Sequence, residues 1–168
     1  MNNEEKNTYV KKRITDTLIG LLENNEFREI SIIQITQTAQ VSRNSFYRNY
    51  NAIEDILLHY IRSMMQSWQA DYERSGMNSN AELYGDLFKH LKEHKDFFLL
   101  LKKRNLFHMF LQVFLELYGT KPEQDNMTAY VVSFVTYGTY GWIEEWIARG
   151  MQESAETMSE KLAASGMR

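Results

Sequence analysis

The sequence predicts an all-α protein, and three observations support this fold class. Helix breakers are scarce, because the 168-residue chain contains one proline and 8 glycines. Apolar residues recur at helical spacing along most of the chain, whereas the two-residue alternation of a strand is not found. Hydrophobic residues make up 43% and charged residues 24%, which is typical of a globular protein of one or two small domains.

Composition narrows the classes of protein further. The chain has no cysteine, so a disulfide framework and a thiolate metal site are excluded. The N-terminus lacks the apolar stretch of a signal peptide, and no apolar run approaches the roughly 18 residues of a membrane span, so we expect a soluble, cytoplasmic protein with no membrane partner. Residues 1–51 hold 7 Lys and Arg against 6 Asp and Glu, and the remainder holds 12 against 16. This mild asymmetry permits a DNA-binding end without requiring one.

An apolar stripe predicts the first helix, and capping residues predict the starts of the three helices that follow it. An apolar stripe from Val10 to Leu22 predicts a first helix over about residues 8–23. Ser31 and Gln34 have capping-box spacing, which predicts a two-turn helix ending near residues 39–40. Ser42 is a good N-cap for a second short helix.

The third signal opens a long helix. Asn51, with Glu54 three residues later, predicts its start. Its apolar stripe comprises Ile53, Ile56, Leu57, Tyr60, Ile61, Met64 and Trp68.

The rest of the chain also reads as helical. Residues 75–80, "SGMNSN", predict a linker, and Ser79 with Glu82 predicts the helix that follows it. The segments "DFFLLLKK" and "NLFHMFLQVFLELYG" predict buried helices, and the first ends in the basic run 102–104, where cations favour the helix dipole. A long apolar helix is predicted over about residues 123–149, and a last one over about 154–164.

The short helix over residues 42–48 carries the most informative chemistry. Phe46 is predicted to point inward, which leaves Arg43, Asn44, Tyr47 and Arg48 on the outer faces. Arginine and asparagine pair with guanine and adenine edges, and tyrosine hydroxyls reach phosphates. Two short helices with a polar second helix are typical of a helix-turn-helix. A solvated face with two arginines is the alternative, although this segment has no acidic residue of the kind that such faces usually include.

These residues also carry a resemblance to a known family. The stretch "ISIIQITQTAQVSRNSFYRNYNAIEDIL", behind a helix ending near "LLENNEFREI", resembles the DNA-binding domain of TetR/AcrR-type transcriptional regulators. The resemblance covers about residues 8–60 and includes the turn at Ala39–Ser42 and the aromatic pair Phe46–Tyr47. It implies a three-helix DNA-binding domain at residues 1–52 and a helical effector-binding and dimerisation domain at 53–168.

The resemblance implies a function and a set of roles. The function is that of a ligand-responsive repressor that binds a palindromic operator in double-stranded DNA as a homodimer, with a small-molecule effector and no cofactor. The first residues of the recognition helix would approach base edges, Tyr47 and Arg48 would hold phosphates, Ser31 would touch the backbone and Asn51 would cap the long helix. The DNA-binding residues implied are Ser31, Ser42, Arg43, Asn44, Ser45, Tyr47, Arg48 and Asn51.

Two positions depart from the family pattern. Gln40 stands where the family usually has glycine, and a left-handed turn there would cost glutamine about 1–2 kcal/mol. Ile53 stands where the family usually has a lysine that contacts the DNA backbone, so we expect a salt dependence shallower by about one unit of slope. The second departure keeps an alternative open, namely a protein-interaction module or co-activator that retains the TetR-like fold with weak or no DNA binding.

The second domain offers candidates for a ligand pocket and a dimer interface, with packing inside one subunit as the alternative for both. Gly138 and Gly141 each cost a helix interior about 1 kcal/mol relative to alanine, which suggests close approach of another helix. The predicted interface residues are Ser133, Gly138, Gly141, Trp142 and Trp146. The predicted pocket residues are Met64, Trp68, Phe88, Phe98, Phe107, Phe110, Phe114, Tyr130, Phe134 and Tyr137.

Signals for an enzyme are weak. His90 and His94 lie four residues apart on a predicted helix but lack an evident third ligand, so we interpret them as part of a solvated face and expect no metal site. The sequence contains no nucleophile elbow, P-loop or dinucleotide-binding glycine motif. We therefore do not expect an enzyme.

Overall fold

A computed structural model describes residues 2–76 and 79–164. Helices account for all the regular secondary structure assigned in these residues, and no strand is found there. The predicted all-α class is confirmed. Of the predicted linker, Met77 and Asn78 lie outside the described residues. The helices are α1 (Asn3–Asn24), α2 (Ile32–Ala39), α3 (Arg43–Tyr47), α4 (Ile53–Ser75), α5 (Asn80–Glu93), α6 (Lys95–Lys103), α7 (His108–Tyr118), α8 (Asn126–Ala148) and α9 (Ala155–Ala164), with a 3-10 turn at Phe27–Glu29.

The chain forms two compact units, Met1–Arg62 and Ser63–Arg168. The division falls inside α4, whereas the sequence places the domain boundary before this helix, at residues 52–53. Both units therefore contain part of α4.

The first unit is built around apolar stripes from its four helices. The stripe predicted for α1 is confirmed at its centre, and α1 begins five residues before the predicted start because Asn2 and Glu5 form a capping box. Its polar first turns gave no apolar signal. The fully buried residues of this core are Ile14, Leu18, Leu22, Ile35, Phe46, Ile56, Leu57 and Ile61.

Side-chain caps set the starts of the short helices. The Ser31 hydroxyl accepts from the Gln34 backbone N–H at 3.2 Å, and the Ser42 hydroxyl accepts from that of Ser45 at 3.0 Å, so both predicted N-caps are confirmed. At the start of α4, it is the Asp55 carboxylate that accepts from the backbone N–H groups of Asn51 and Ala52. The sequence had instead paired Asn51 with Glu54.

The turn between α2 and α3 needs a left-handed residue, and Gln40 supplies it with φ 55° and ψ 44°. The Val41 backbone N–H donates to the Thr36 carbonyl at 3.0 Å, and Arg13 of α1 donates its Nε–H to the Ala39 carbonyl at 2.9 Å. These bonds satisfy carbonyl groups that the end of α2 would otherwise leave unpaired.

In the second unit, α5 packs along α9, and α6 and α7 pack on α8. Lys102 of α6 forms an ion pair with Glu144 of α8 at 2.9 Å. The basic run closes α6 as predicted, with Arg104 as its C-cap. Helix α8 starts three residues after the predicted position because Asp125 caps it, accepting from the backbone N–H groups of Met127 and Thr128.

Within the described ranges 2–76 and 79–164, no helix combines the length and apolar character needed to cross a membrane.

The left-handed turn generates a stability prediction. Gln40→Gly should raise the free energy of unfolding by about 1 kcal/mol, because glycine adopts positive φ without the steric penalty of a side chain. The measurement is urea denaturation followed by circular dichroism.

Gln37→Gly is the matched control, since Gln37 is also exposed but lies inside α2. It should lower stability by about 0.5–1 kcal/mol. A loss of stability in both variants would contradict the account of the turn.

Candidate functional site

Helix α3 is held by one buried side chain. The Phe46 side chain is fully buried, and its ring contacts those of Tyr47 and Tyr50 at centroid distances of 5.4 and 5.8 Å. A five-residue helix is too short to be stable by itself in water. The orientation of α3 therefore depends on this anchor and on the Ser42 cap.

The outer surface of α3 is formed by the side chains that the sequence placed there. Arg43, Asn44, Tyr47 and Arg48 are all exposed, and Tyr47 is 57% exposed. Arg43 and Tyr47 are one helical turn apart, as are Asn44 and Arg48, so the four form two adjacent pairs. Residues 42–50 contain no acidic side chain, so the surface is cationic with aromatic and amide groups. We name these four residues the recognition face.

The other predicted DNA-contacting residues also lie at helix starts. Ser31 and Ser42 are exposed N-caps, and the Ser42 and Ser45 hydroxyls are 2.9 Å apart. A capping hydroxyl uses its oxygen as an acceptor and keeps its hydrogen to donate. Asn51 is exposed just before α4. The DNA contacts of these residues stay a prediction.

Ile53 and His59 of α4 add no positive charge to the first unit at pH 7. Ile53 is the first residue of α4 and is only half-buried, unlike Ile56, one turn further along the stripe, which is fully buried. Burial lowers the pKa of His59, and the charges of Lys11 and Arg62 lower it further. The His59 ring is therefore neutral at pH 7.

The second unit contains a cleft of about 500 Å³ between α4, α5, α7 and α8. Its volume lies in the range of small-molecule sites. Two of the predicted pocket residues, Trp68 and Phe114, line it. The full lining is Trp68, Gln69, Tyr72, Glu73, Leu83, Tyr84, Leu87, Phe114, Tyr118, Val131, Val132, Val135, Thr136 and Thr139.

The remaining predicted pocket residues lie elsewhere, in two groups. One group is buried in the core, where the rings of Phe98 and Phe110 pack at 5.2 Å and those of Phe107 and Tyr140 at 5.9 Å. This group comprises Met64, Phe88, Phe98, Phe107 and Phe110. The other group, Tyr130, Phe134 and Tyr137, is exposed on α8. Apolar character alone did not distinguish core, cleft and surface positions.

Sequence reasoning missed several cleft residues. Tyr72 follows Trp68 by one helical turn, and this spacing could have identified it. Tyr84 and Tyr118 carried no such signal, because they come from other helices. Asp86 was missed as well, and its carboxylate accepts from the Trp68 indole N–H at 2.9 Å. That bond fixes the indole in the cleft wall.

Helix α8 presents an exposed apolar face. Phe134 is 70% exposed and Tyr130 67%, values that are unusual for large apolar side chains. A Cβ atom added at Gly141 would meet no atom within 4 Å other than its chain neighbours and the backbone of its own helix. Packing inside the subunit therefore does not explain that glycine. We name the exposed face of α8, comprising Met127, Tyr130, Phe134, Tyr137 and Gly141, the α8 face.

Of the predicted interface residues, Gly141 lies on this face and Trp146 lies in the core. Ser133, Gly138 and Trp142 are half-buried. Trp146 is 2% exposed, and its ring contacts Phe88 at 5.4 Å and the Lys92 ammonium at 5.3 Å. Trp146 is therefore a core residue of its own subunit, whereas the sequence predicted it for the dimer interface.

The two histidines of α5 lie side by side, with ring centroids 4.8 Å apart. Burial lowers the pKa of His90, as does neighbouring His94, so the predicted solvated face holds only in part. In the described part of the chain, no group of three or more His, Cys, Asp or Glu residues could hold a metal ion.

This arrangement, a helix-turn-helix unit and a helical unit with a cleft, is that of a transcriptional regulator, and comparison with known proteins agrees. Residues 78–165 match a TetR family described as a transcriptional regulator C-terminal region. The match covers more than half of the chain, which therefore belongs to the TetR family of transcriptional regulators.

Two individual proteins are also similar. The chain is 24% identical over 165 residues to YxbF of Bacillus subtilis (strain 168), an uncharacterized HTH-type transcriptional regulator. The match includes 89% of this chain and 43% of YxbF, so the chain spans less than half the length of that relative. The structure resembles the dihydroxyacetone kinase operon activator DhaS, with a TM-score of 0.59, 20% identity and 92% of each chain covered. At this identity, the likeness to DhaS concerns the fold.

Proposed function

We propose that this chain is a homodimeric repressor that binds a pseudo-twofold DNA operator through α3 and releases it when a small molecule occupies the cleft of the second unit. The observation that carries the proposal is the recognition face. It is exposed, cationic and mounted on a helix whose opposite side is locked by Phe46. A face of this kind is suited to a major groove, where affinity comes from phosphates and specificity from base edges.

The residues of the recognition face are suited to two kinds of contact, one with base edges and one with phosphates. Arg43 and Asn44 occupy the first turn of α3, and the N-terminal residues of a recognition helix are those that reach base edges. The arginine fork matches guanine, and the asparagine amide matches adenine. Tyr47 and Arg48 follow one turn later, where a hydroxyl and a guanidinium suit phosphate oxygens.

The α8 face supports the proposed homodimer. An apolar surface this exposed on a single subunit is typical of an interaction site. A twofold axis would bring two copies of the same face together. Gly141 would allow the two helix backbones to approach closely. Two recognition helices related by such an axis would reach half-sites about 34–36 Å apart.

The cleft supports the proposed response to a ligand. Trp68 and Tyr72 of α4 form part of its wall, and the same helix begins at Ile53, a few residues after α3 ends. A ligand that prefers one position of α4 would shift the population of recognition-helix positions toward that state. Repression would then be relieved when the favoured position fits the operator poorly.

A second candidate function is favoured by Ile53. Because this half-buried side chain cannot form the ionic contact of a lysine, the chain could instead act through a protein partner as a co-activator that keeps the fold. DhaS, which has a similar fold, is a dihydroxyacetone kinase operon activator. The two candidates differ in whether the intact dimer retains DNA.

Arg43→Ala tests the reading role of the recognition face. The variant should lose roughly 1–3 kcal/mol of discrimination at one base pair of each half-site, because a bidentate contact with guanine disappears. The measurement is fluorescence anisotropy with the preferred operator and single-base variants, at several salt concentrations.

Arg74→Ala is the matched control, since it removes the same charge from an exposed site in the second unit, where Arg74 pairs with Asp71. It should leave discrimination unchanged. An equal loss of affinity on all sequences in Arg43→Ala would show that Arg43 contacts only phosphate. If the wild-type dimer retains no DNA even at low salt, the repressor proposal fails and the co-activator candidate remains.

Phe134→Asp tests the α8 face. The variant should still fold, because Phe134 is mostly exposed in a single subunit. It should be monomeric, because the dimer would bury the negative charge of the new aspartate. Sedimentation velocity gives the mass, and circular dichroism gives the helix content.

Tyr9→Asp is the control, since Tyr9 is also a large exposed aromatic residue but lies on α1. It should remain dimeric. A dimeric Phe134→Asp variant, or a monomeric wild-type protein at micromolar concentration, would contradict the proposed interface.

A further inference from the structure

The cleft of the second unit is lined by aromatic rings on several sides. The rings of Trp68 and Tyr72 lie one turn apart on α4, with centroids at 6.1 Å and planes inclined at 31°. The Tyr118 ring of α7 lies 6.4 Å from that of Trp68, and the Phe114 ring is 5.1 Å from that of Tyr118. Tyr84 of α5 completes the aromatic lining. Aromatic faces carry partial negative charge and attract cations.

The charged groups at the cleft are acidic. Glu73 is the charged residue among the described lining residues, which include no lysine, arginine or histidine. The Glu73 carboxylate accepts from the Gln69 side-chain amide at 2.8 Å, which holds it on the same helix as Trp68 and Tyr72. Asp86 is not a lining residue, but its carboxylate accepts from the indole N–H of Trp68. The nearby potential is therefore negative.

Burial has the largest effect on the pKa values of the cleft tyrosines, and nearby carboxylates add to it. Burial raises the pKa of Tyr118, and the charge of Glu73 raises it further. Burial also raises the pKa of Tyr72, with further contributions from Glu82 and Asp86. Both hydroxyls therefore stay neutral at physiological pH.

Polar groups that would attract a neutral or anionic ligand are few. The Thr136 hydroxyl already donates to the Tyr118 carbonyl at 2.9 Å. The valines at 131, 132 and 135 offer only apolar surface. An anion entering this cleft would lose its hydration without meeting a cationic side chain in the lining, which is unfavourable.

We propose that the cleft binds a small organic cation with an apolar or aromatic body, whose charge lies against the rings of Trp68, Tyr72 and Tyr118 and faces Glu73. The inference rests on the ligand-responsive part of the proposed function and specifies the chemical class of the effector. The cleft is lined by residues 131, 132, 135, 136 and 139 of α8, and none of these belongs to the α8 face.

The test uses two probe pairs with the full-length protein and no DNA. Tetraphenylphosphonium and tetraphenylborate share a shape and carry opposite charges. Benzyltrimethylammonium and its neutral carbon analogue, neopentylbenzene, form a smaller pair. Calorimetry or tryptophan fluorescence should show that at least one cation binds about tenfold or more tightly than its partner, as cation–π and ionic contacts predict. Equal or stronger binding of the partner in both pairs, or no binding of any probe by the folded protein, would overturn the inference.

Glu73→Gln assigns the preference to the cleft. The substitution should lower the affinity for the cation about fivefold or more, while the affinity for the uncharged or anionic partner does not fall. Glu93→Gln is the matched control, because Glu93 is an exposed carboxylate of the same unit outside the lining, and it should leave cation binding unchanged. An unchanged affinity in Glu73→Gln would overturn the assignment. Because operator binding is measured separately, a protein that binds cations but not DNA would refute the repressor proposal and leave this inference standing.

Discussion

The burial of Phe46 is the interaction on which the recognition face depends. A helix of five residues has too few backbone hydrogen bonds to persist by itself, so its position must come from tertiary packing. Phe46 supplies that packing from one side of α3, and the residues left on the other side are those free to meet DNA. The Ser42 cap fixes where the helix begins, and thereby which side chains occupy its first turn.

The turn before α3 shows how the same unit tolerates an unfavourable residue. Gln40 adopts a left-handed conformation that glycine would adopt more easily. The bond from Arg13 to the Ala39 carbonyl ties the end of α2 to α1, and the Val41 amide closes the turn from the other side. Packing and hydrogen bonds together thus stabilise a left-handed turn that the local sequence disfavours. This turn sets the direction of α3.

The features predicted from sequence are those with a local physical signature. Caps at Ser31 and Ser42 follow from short-range hydrogen bonding, and buried stripes follow from helical spacing, so both were accessible. The cleft was not, because its wall combines Tyr72, Tyr84 and Tyr118 from three helices whose packing no local pattern encodes. Trp146 and Phe134 illustrate the same limit. Both are aromatic residues of α8, yet one is in the core and the other is on the surface. The sequence predicted Trp146 for the dimer interface and Phe134 for the ligand pocket, and only helix packing distinguishes core from surface.

Selection of bound duplexes from a random pool measures whether two copies of the recognition face read one symmetric DNA site. Twofold reading predicts enrichment of two inverted half-sites whose centres are separated by about one helical turn of DNA, or a multiple of it. Enrichment of a single half-site, or a bound pool indistinguishable from the starting pool, would show that the two faces do not read one symmetric site.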